Sequence, residues 1–284
     1  MRTTSFDYTR ATSLDEALSA VAAGAQVLAG GQSLLQTMKL RVAAPQHLVD
    51  INELAGLRGV HPEGGGLRLG ALTRIAELAT SPEVAARYPW LQQAARRTAD
   101  VQVRNRGTIG GNLCFADPRS NLASTLISLQ AEVTLRSEGS TRRLAVEEMF
   151  AGYRRTVLAP GELVTDVHLP DPGPGARGAY REISRQPNGV PVVNVAVSAT
   201  PERVTAIGVG GLGVRPLRAR RVEQALDGVD RTDADAVAEA AALLEEDLAG
   251  SEPLADMHGT AEYRLDVAAV LLRRLVVATA PERN

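Results

Sequence analysis

The chain has 284 residues, 44% apolar and 23% charged, with a formal net charge of −2, a globular composition with no broad electrostatic drive toward nucleic acid or an anionic membrane. Its length allows two or three compact units, and an aromatic content of 3% makes their cores aliphatic. The single cysteine, Cys114, excludes an internal disulfide and an iron–sulfur cluster held by this chain alone.

The start, Met1 to Phe6, lacks the apolar core of a secretory signal, and no later run is long enough to span a membrane, so a reducing cytoplasm is the expectation. A strand at Phe6 to Tyr8 precedes Ser13-Leu14-Asp15-Glu16, a capping box that opens an alanine-rich helix ending at Gly24. Strands at Gln26 to Ala29 and His47 to Ile51 flank the glycine turn Ala29-Gly30-Gly31-Gln32-Ser33 and the segment Leu34 to Leu40, which together make a small βαβ-like unit. Gly64-Gly65-Gly66 reads as a hairpin tip leading into a strand at Leu67 to Ala71. Helices follow at Thr73 to Ala79 and, behind the Ser81-Pro82 cap, at Glu83 to Ala99. A second glycine loop, Thr108-Ile109-Gly110-Gly111-Asn112, leads to an apolar segment at Asn121 to Leu129 and strands at Ala131 to Arg136 and Leu163 to Leu169.

The run Pro170-Asp171-Pro172-Gly173-Pro174-Gly175 has the composition of a linker. It sets the last boundary among units expected at 1–55, 56–172 and 173–284, and the turn-rich stretch Asn52 to Gly66 introduces the second. The last is α+β, with antiparallel strands at Tyr180 to Arg185, Val192 to Ala199 and Val204 to Gly210, then helices at Ala219 to Leu226, Asp233 to Leu248 and Ala261 to Ala278.

The two glycine segments carry the functional signal. Adjacent glycines permit positive φ and close approach to a ligand, and consecutive N–H groups can converge on an anion. Two such segments with hydroxyl and amide side chains read as halves of one phosphate cradle. Competing motifs fit less well. Gly208-Val209-Gly210-Gly211-Leu212-Gly213 satisfies G-x-G-x-x-G, but Pro216 and nearby arginines replace a helix start, and no second parallel strand follows, so a strand-end turn is expected. Gly31-Gln32-Ser33-Leu34-Leu35 lacks the second glycine of a nucleophile elbow and has no placed histidine or acid. His47, His61, His168 and His258 lack metal-ligand spacing, Cys114 is expected as a buried small hydrophobe, and the arginine clusters lack the aromatic platforms of a nucleic-acid surface.

The runs Leu28-Ala29-Gly30-Gly31-Gln32-Ser33-Leu34-Leu35 with Met38-Lys39-Leu40, and Arg104-Asn105-Arg106-Gly107-Thr108-Ile109-Gly110-Gly111-Asn112-Leu113, resemble the FAD-binding medium subunit of the molybdenum hydroxylases, the family of aerobic carbon monoxide dehydrogenase and xanthine dehydrogenase. The resemblance continues through Asp117-Pro118, Pro160-Gly161-Glu162-Leu163, Gly210-Gly211 before Pro216, and Glu262-Tyr263-Arg264. It implies an α+β chain: a two-subdomain FAD-binding fold of the vanillyl-alcohol-oxidase (PCMH) type, then a C-terminal domain with an antiparallel sheet and helices. It also implies that Ala29, Gly30, Gly31, Gln32, Ser33, Leu34, Thr108, Gly110, Gly111, Asn112, Asn121, Leu163 and Arg181 contact FAD, with main-chain N–H groups around its pyrophosphate and Gln32 at a position that leaves the flavin non-covalent. Asn121 stands where relatives carry aspartate, and Arg181 stands where the ring environment departs from the family pattern.

The implied function is an electron-transfer subunit of an oxidoreductase. Molybdopterin and 2Fe–2S clusters would sit only on a large and a small partner chain, in a heterotrimer or a dimer of heterotrimers. No side-chain acid, base or nucleophile is then needed, because the cofactor carries the chemistry. The rival readings are a stand-alone or adapted FAD-dependent oxidoreductase, which would purify alone with flavin, and a flavin-free scaffold, which would purify colourless.

Overall fold

The structure, a computed structural model, describes residues 3–281. The first unit comprises β1 (Asp7–Arg10), α1 (Leu14–Ala22), β2 (Gln26–Leu28), α2 (Leu34–Lys39) and β3 (His47–Asp50), its strands forming a parallel sheet in the order β1-β3-β2. Ser13 caps α1 by accepting the Glu16 N–H at 3.1 Å, while Glu16 reaches back to the Thr12 N–H at 2.7 Å, a capping box displaced by one residue. Ala17 and Leu18 seat α1 on Val49 and Ile51, in a core that extends to Leu72 and Leu163 of the second unit.

The second unit contains β4 (Val60–Glu63), β5 (Gly66–Gly70), α3 (Ile75–Thr80), α4 (Pro82–Arg87), α5 (Pro89–Arg97), α6 (Val101–Arg106), α7 (Ile109–Phe115), α8 (Asn121–Ser128), β6 (Glu132–Ser137), β7 (Ser140–Ala145), β8 (Phe150–Gly152), β9 (Arg155–Thr156) and β10 (Leu163–Leu169). Its antiparallel sheet runs β4-β5-β10-β6-β7. Gly64 and Gly65, at φ +56° and +81°, make the expected hairpin between β4 and β5. The helix expected at Glu83 to Ala99 is two helices, because Pro89 cannot donate an N–H and forces Tyr88 out of the helical region, to φ −136° and ψ 57°. The second glycine segment, expected as a loop, is the first turn of α7.

Beyond Pro170 to Gly175 lie β11 (Arg177–Ile183), β12 (Val193–Ala199), β13 (Val204–Gly210), β14 (Leu217–Arg218), α9 (Arg220–Ala225), α10 (Ala234–Ala242), α11 (Leu244–Leu248) and α12 (Ala261–Ala278). The antiparallel sheet β11-β12-β13-β14 starts three residues earlier than expected, and the helix expected at Asp233 to Leu248 breaks at Leu243. Both faces of β12 are covered. Val193, Val195 and Val197 pack on Leu271, Leu272 and Leu275 of α12, while Ala196 joins the core of the second unit beneath the fully buried α8. Helix α8 lies so close to β13 that a Cβ on Gly208 would sit 1.9 Å from the Ser124 carbonyl oxygen. Gly210 abuts the Asn194 side chain, and Gly211 holds φ +90° against the Val192 carbonyl. The G-x-G-x-x-G run is therefore a set of close-packing positions at a strand end, as its context indicated.

Candidate functional site

The chain folds around a cleft of about 710 Å³, lined by Ala29 to Leu34, Thr108, Gly110 to Asn112, Asn121, Leu163 and Asn188 to Pro191. Two residues join the glycine segments. The Asn52 amide donates to the Ala29 carbonyl at 2.8 Å, and Arg74 donates to Asn52 Oδ1 at 2.7 Å and to the Arg106 carbonyl. A Cβ on Gly30 would lie 2.2 Å from the Arg106 carbonyl oxygen and 2.9 Å from the Gly107 Cα, so only glycine lets these backbones touch.

The first segment leaves β2 through Gly31 at φ +70° and enters α2. Among the described residues, no acceptor takes the N–H of Gly30, Gly31, Gln32 or Ser33, and all four residues line the cleft. Folded chains pair almost all main-chain donors, so four consecutive open donors mark a place for an anion. Ser33 makes no side-chain capping bond to α2, which leaves its hydroxyl to the cleft.

The second segment works differently from the expected mirror image. Thr108 is the N-cap of α7, and its Oγ1 accepts the Gly111 N–H at 3.1 Å. The Gly110 N–H goes to the Ala71 carbonyl and the Asn112 N–H to the Thr108 carbonyl, each at 2.9 Å. These amides serve the helix start. Gly110 matters instead through close packing, since a Cβ there would meet the Ala71 Cβ at 2.7 Å. Gly111 opens to the cleft, with only Thr108 Oγ1 near its missing Cβ.

Leu34 and Leu163 supply apolar wall, and Asn121, at the start of α8, supplies a buried amide. Arg181 is not brought to the cleft. It is exposed on β11, whereas its neighbours Tyr180 and Glu182 turn toward Asn121. Cys114, expected buried, has surface open to the cleft. Crowding by the cleft walls raises its thiol above the usual cysteine value.

An alternating charge chain at the cleft wall has no motif in the sequence to mark it as functional. Arg119 grips Asp117 at 3.0 and 3.2 Å, and Arg154 adds a contact to Asp117 at 3.1 Å. Arg119 also reaches Asp256 at 3.3 Å, which in turn pairs with the fully buried Arg264 at 2.5 Å. Burial raises the Asp117 carboxyl, but the Arg119 hydrogen bonds and charge outweigh that and hold it below the usual carboxylate value. Arg264 also donates to the Gly211 carbonyl at 3.1 Å and to the Val192 carbonyl, tying α12 to the chain beside the cleft. Partners far apart in sequence, such as 119 and 256, hide this chain from motif reading.

Among the described residues, no group of three or more histidine, cysteine or acidic side chains could hold a metal ion, and no helix is long and apolar enough to cross a membrane. His47 is hydrogen-bonded to Thr9, and His168 to Thr134 and Glu63.

Residues 4–172 match the family model described as the FAD binding domain in molybdopterin dehydrogenase, and residues 178–279 match the CO dehydrogenase flavoprotein C-terminal domain. The carbon monoxide dehydrogenase medium chain of Afipia carboxidovorans is 36% identical, with 96% of each chain covered. A subunit of the 6-hydroxypseudooxynicotine dehydrogenase complex of Paenarthrobacter nicotinovorans is 33% identical, covering 96% of this chain and 94% of its own. Among solved structures, carbon monoxide dehydrogenase from Hydrogenophaga pseudoflava superposes with a TM-score of 0.92 at 33% identity, covering 99% of this chain and 100% of the other. Quinoline 2-oxidoreductase from Pseudomonas putida 86 gives 0.89 at 29% identity, with 98% of each covered. The chain belongs to the family of FAD-binding medium subunits of the molybdenum hydroxylases, oxidoreductase subunits that transfer electrons within complexes whose molybdenum and iron–sulfur centres lie on partner chains.

Proposed function

We propose that the open N–H groups of Gly30, Gly31, Gln32 and Ser33 receive the FAD pyrophosphate, and that the hydroxyls of Ser33 and Thr108 add donors to it. The observation that carries this reading is the set of four unpartnered main-chain donors in the wall of a cleft that both glycine segments share. A diphosphate needs many donors and little nearby bulk, and this segment offers both. Gly110, Gly111 and Asn112 shape the opposite wall rather than donate, while Ala29, Leu34 and Leu163 exclude water along it. Arg181 has no part in this reading.

FAD held by these residues would supply the redox chemistry that links the iron–sulfur centres of a partner to an external acceptor such as NAD, a quinone or oxygen. The protein's own work is to bind, orient and shield. Cys114 stays a thiol, and Gln32 offers no nucleophile, so FAD is held without a covalent bond. Three units at 1–55, 56–172 and 173–284, a cytoplasmic location, and a heterotrimer or its dimer complete the proposal.

The test is a visible absorption spectrum of the purified chain, with the released cofactor identified by chromatography. Yellow protein releasing FAD is the expected result. The Gly111→Val variant, whose added side chain projects into the cleft, should fold but lose the cofactor; full occupancy in that variant would remove the second segment from the site.

A further inference from the structure

Asn121 is a buried polar group of the cleft wall, and its surroundings are more elaborate than a helix start requires. Its Nδ2 donates to the Tyr180 hydroxyl at 2.7 Å and to Glu182 Oε2, and the Tyr180 hydroxyl donates to that same Glu182 oxygen at 2.6 Å. Ser184 donates to the other carboxylate oxygen at 3.3 Å. All three donors to Glu182 are uncharged. These three bonds fix the carboxylate beside a fully buried tyrosine.

The arrangement does fix one thing tightly. An asparagine amide has two N–H bonds and one oxygen, and a flipped amide would set Oδ1 against the Glu182 carboxylate, acceptor against acceptor. The flip is therefore blocked. With Nδ2 committed to β11, Oδ1 is the one side-chain polar atom of Asn121 without a partner among the described residues, and Asn121 lines the cleft. The negative charge behind the amide also polarises it and strengthens the oxygen as an acceptor, as hydrogen bonds do when they act in series.

We propose that Glu182 is a positioning residue for FAD: through Asn121 it holds a polarised amide oxygen in the cleft wall that accepts a hydrogen bond from a hydroxyl of the bound cofactor. The inference rests on the FAD assignment. It places the carboxylate one layer behind the wall, where it acts through the amide without meeting the cofactor.

The experiment is titration of the FAD-free full chain with FAD, followed by flavin fluorescence, alongside the melting temperature of each FAD-free variant. Glu182→Gln keeps the shape but releases the amide to flip, and should weaken FAD binding about tenfold while leaving the FAD-free melting temperature near that of the parent. Asn121→Asp should also bind FAD more weakly, because its carboxylate faces Glu182. The double variant, Asn121→Asp with Glu182→Gln, should recover binding to within about threefold of the parent, since the charge has merely moved forward one residue. A hydroxyl contact also predicts that competition by either ADP or FMN, which carry the adenosine side and the riboflavin side of the cofactor, is weakened by Glu182→Gln while competition by the other is unaffected. Unchanged FAD affinity in Glu182→Gln, a double variant no better than Asn121→Asp alone, or equal losses for ADP and FMN would each overturn the proposal. A parent chain that binds no FAD at all would overturn the cofactor assignment instead.

Discussion

Replacing Gly30 by alanine tests whether contact between the two segments creates the anion site. The added Cβ would lie 2.2 Å from the Arg106 carbonyl oxygen, about 1 Å inside the distance that a carbon and an oxygen tolerate, and both Arg106 and Gly107 meet it with backbone rather than with a movable side-chain tip. One segment has to retreat. Overpacking of this kind costs about 1–3 kcal/mol, so the FAD-free protein should melt a few degrees lower and still fold. The larger effect falls on the ligand, because a 1 Å shift takes a main-chain donor out of hydrogen-bonding range. Bonds to charged groups contribute about 1.5–3 kcal/mol each, so losing two of the four open amides corresponds to about 3–6 kcal/mol, or roughly two to four decades in Kd. Fluorescence titration of FAD into the stripped variant measures this directly. Gly30→Ala binding FAD within threefold of the parent, at an unchanged melting temperature, would refute the claim that the approach of the two backbones forms the site.

Other outcomes follow from the same geometry. Arg264→Met should destabilise the chain by about 3–5 kcal/mol, read as a calorimetric shift, because Asp256 loses its buried partner and the Val192 and Gly211 carbonyls lose their donor. Asp117→Asn should lower stability at neutral pH but not in acid. The folded carboxyl titrates below its unfolded value of about 3.9, so its contribution is present above that pH and vanishes as pH falls through the folded value; urea unfolding at pH 7 and near pH 3 measures the converging difference. Cys114, whose thiol is raised above the usual cysteine value, should react with iodoacetamide at pH 8 more slowly than a free cysteine of pKa about 8.5, and bound FAD should slow it further; mass spectrometry of timed samples reads both.

The sequence revealed elements wherever local chemistry decides the backbone. Ser13 with Glu16 opens α1, Gly64 and Gly65 make the hairpin, and β10 ends at Leu169 where the proline run begins. It misjudged elements where one residue overrides a periodic pattern. Pro89 splits a long helix by steric exclusion at Tyr88, and the Thr108 cap converts an apparent loop into the first turn of α7. The cationic strand β7, Ser140–Ala145, has no apolar alternation to betray it, because its exposed arginines face solvent at a sheet edge. Of the candidate site, the glycines were legible and their duties were not. Hydrogen bonds such as Gly110 to Ala71, and the pairing of Asn121 with Glu182, depend on residues dozens of positions apart.

The two glycine segments look alike in sequence yet divide the work of the site. The first follows a parallel strand, where a βα turn directs its N–H groups outward beyond the strand end, and among the described residues nothing competes for them. The second begins a helix pinned against β5, so its N–H groups are consumed by Thr108 and Ala71, and its glycines act by leaving space. A bulky residue in the first segment would therefore remove donors, whereas one at Gly111 would remove volume. The distinction is measurable: a small anion such as pyrophosphate should still bind Gly111→Val while FAD is excluded, and neither should bind Gly30→Ala. If Gly111→Val lost pyrophosphate and FAD in equal proportion, the main-chain amides of the second segment would have to be donors after all, and their assignment to the helix start would be wrong.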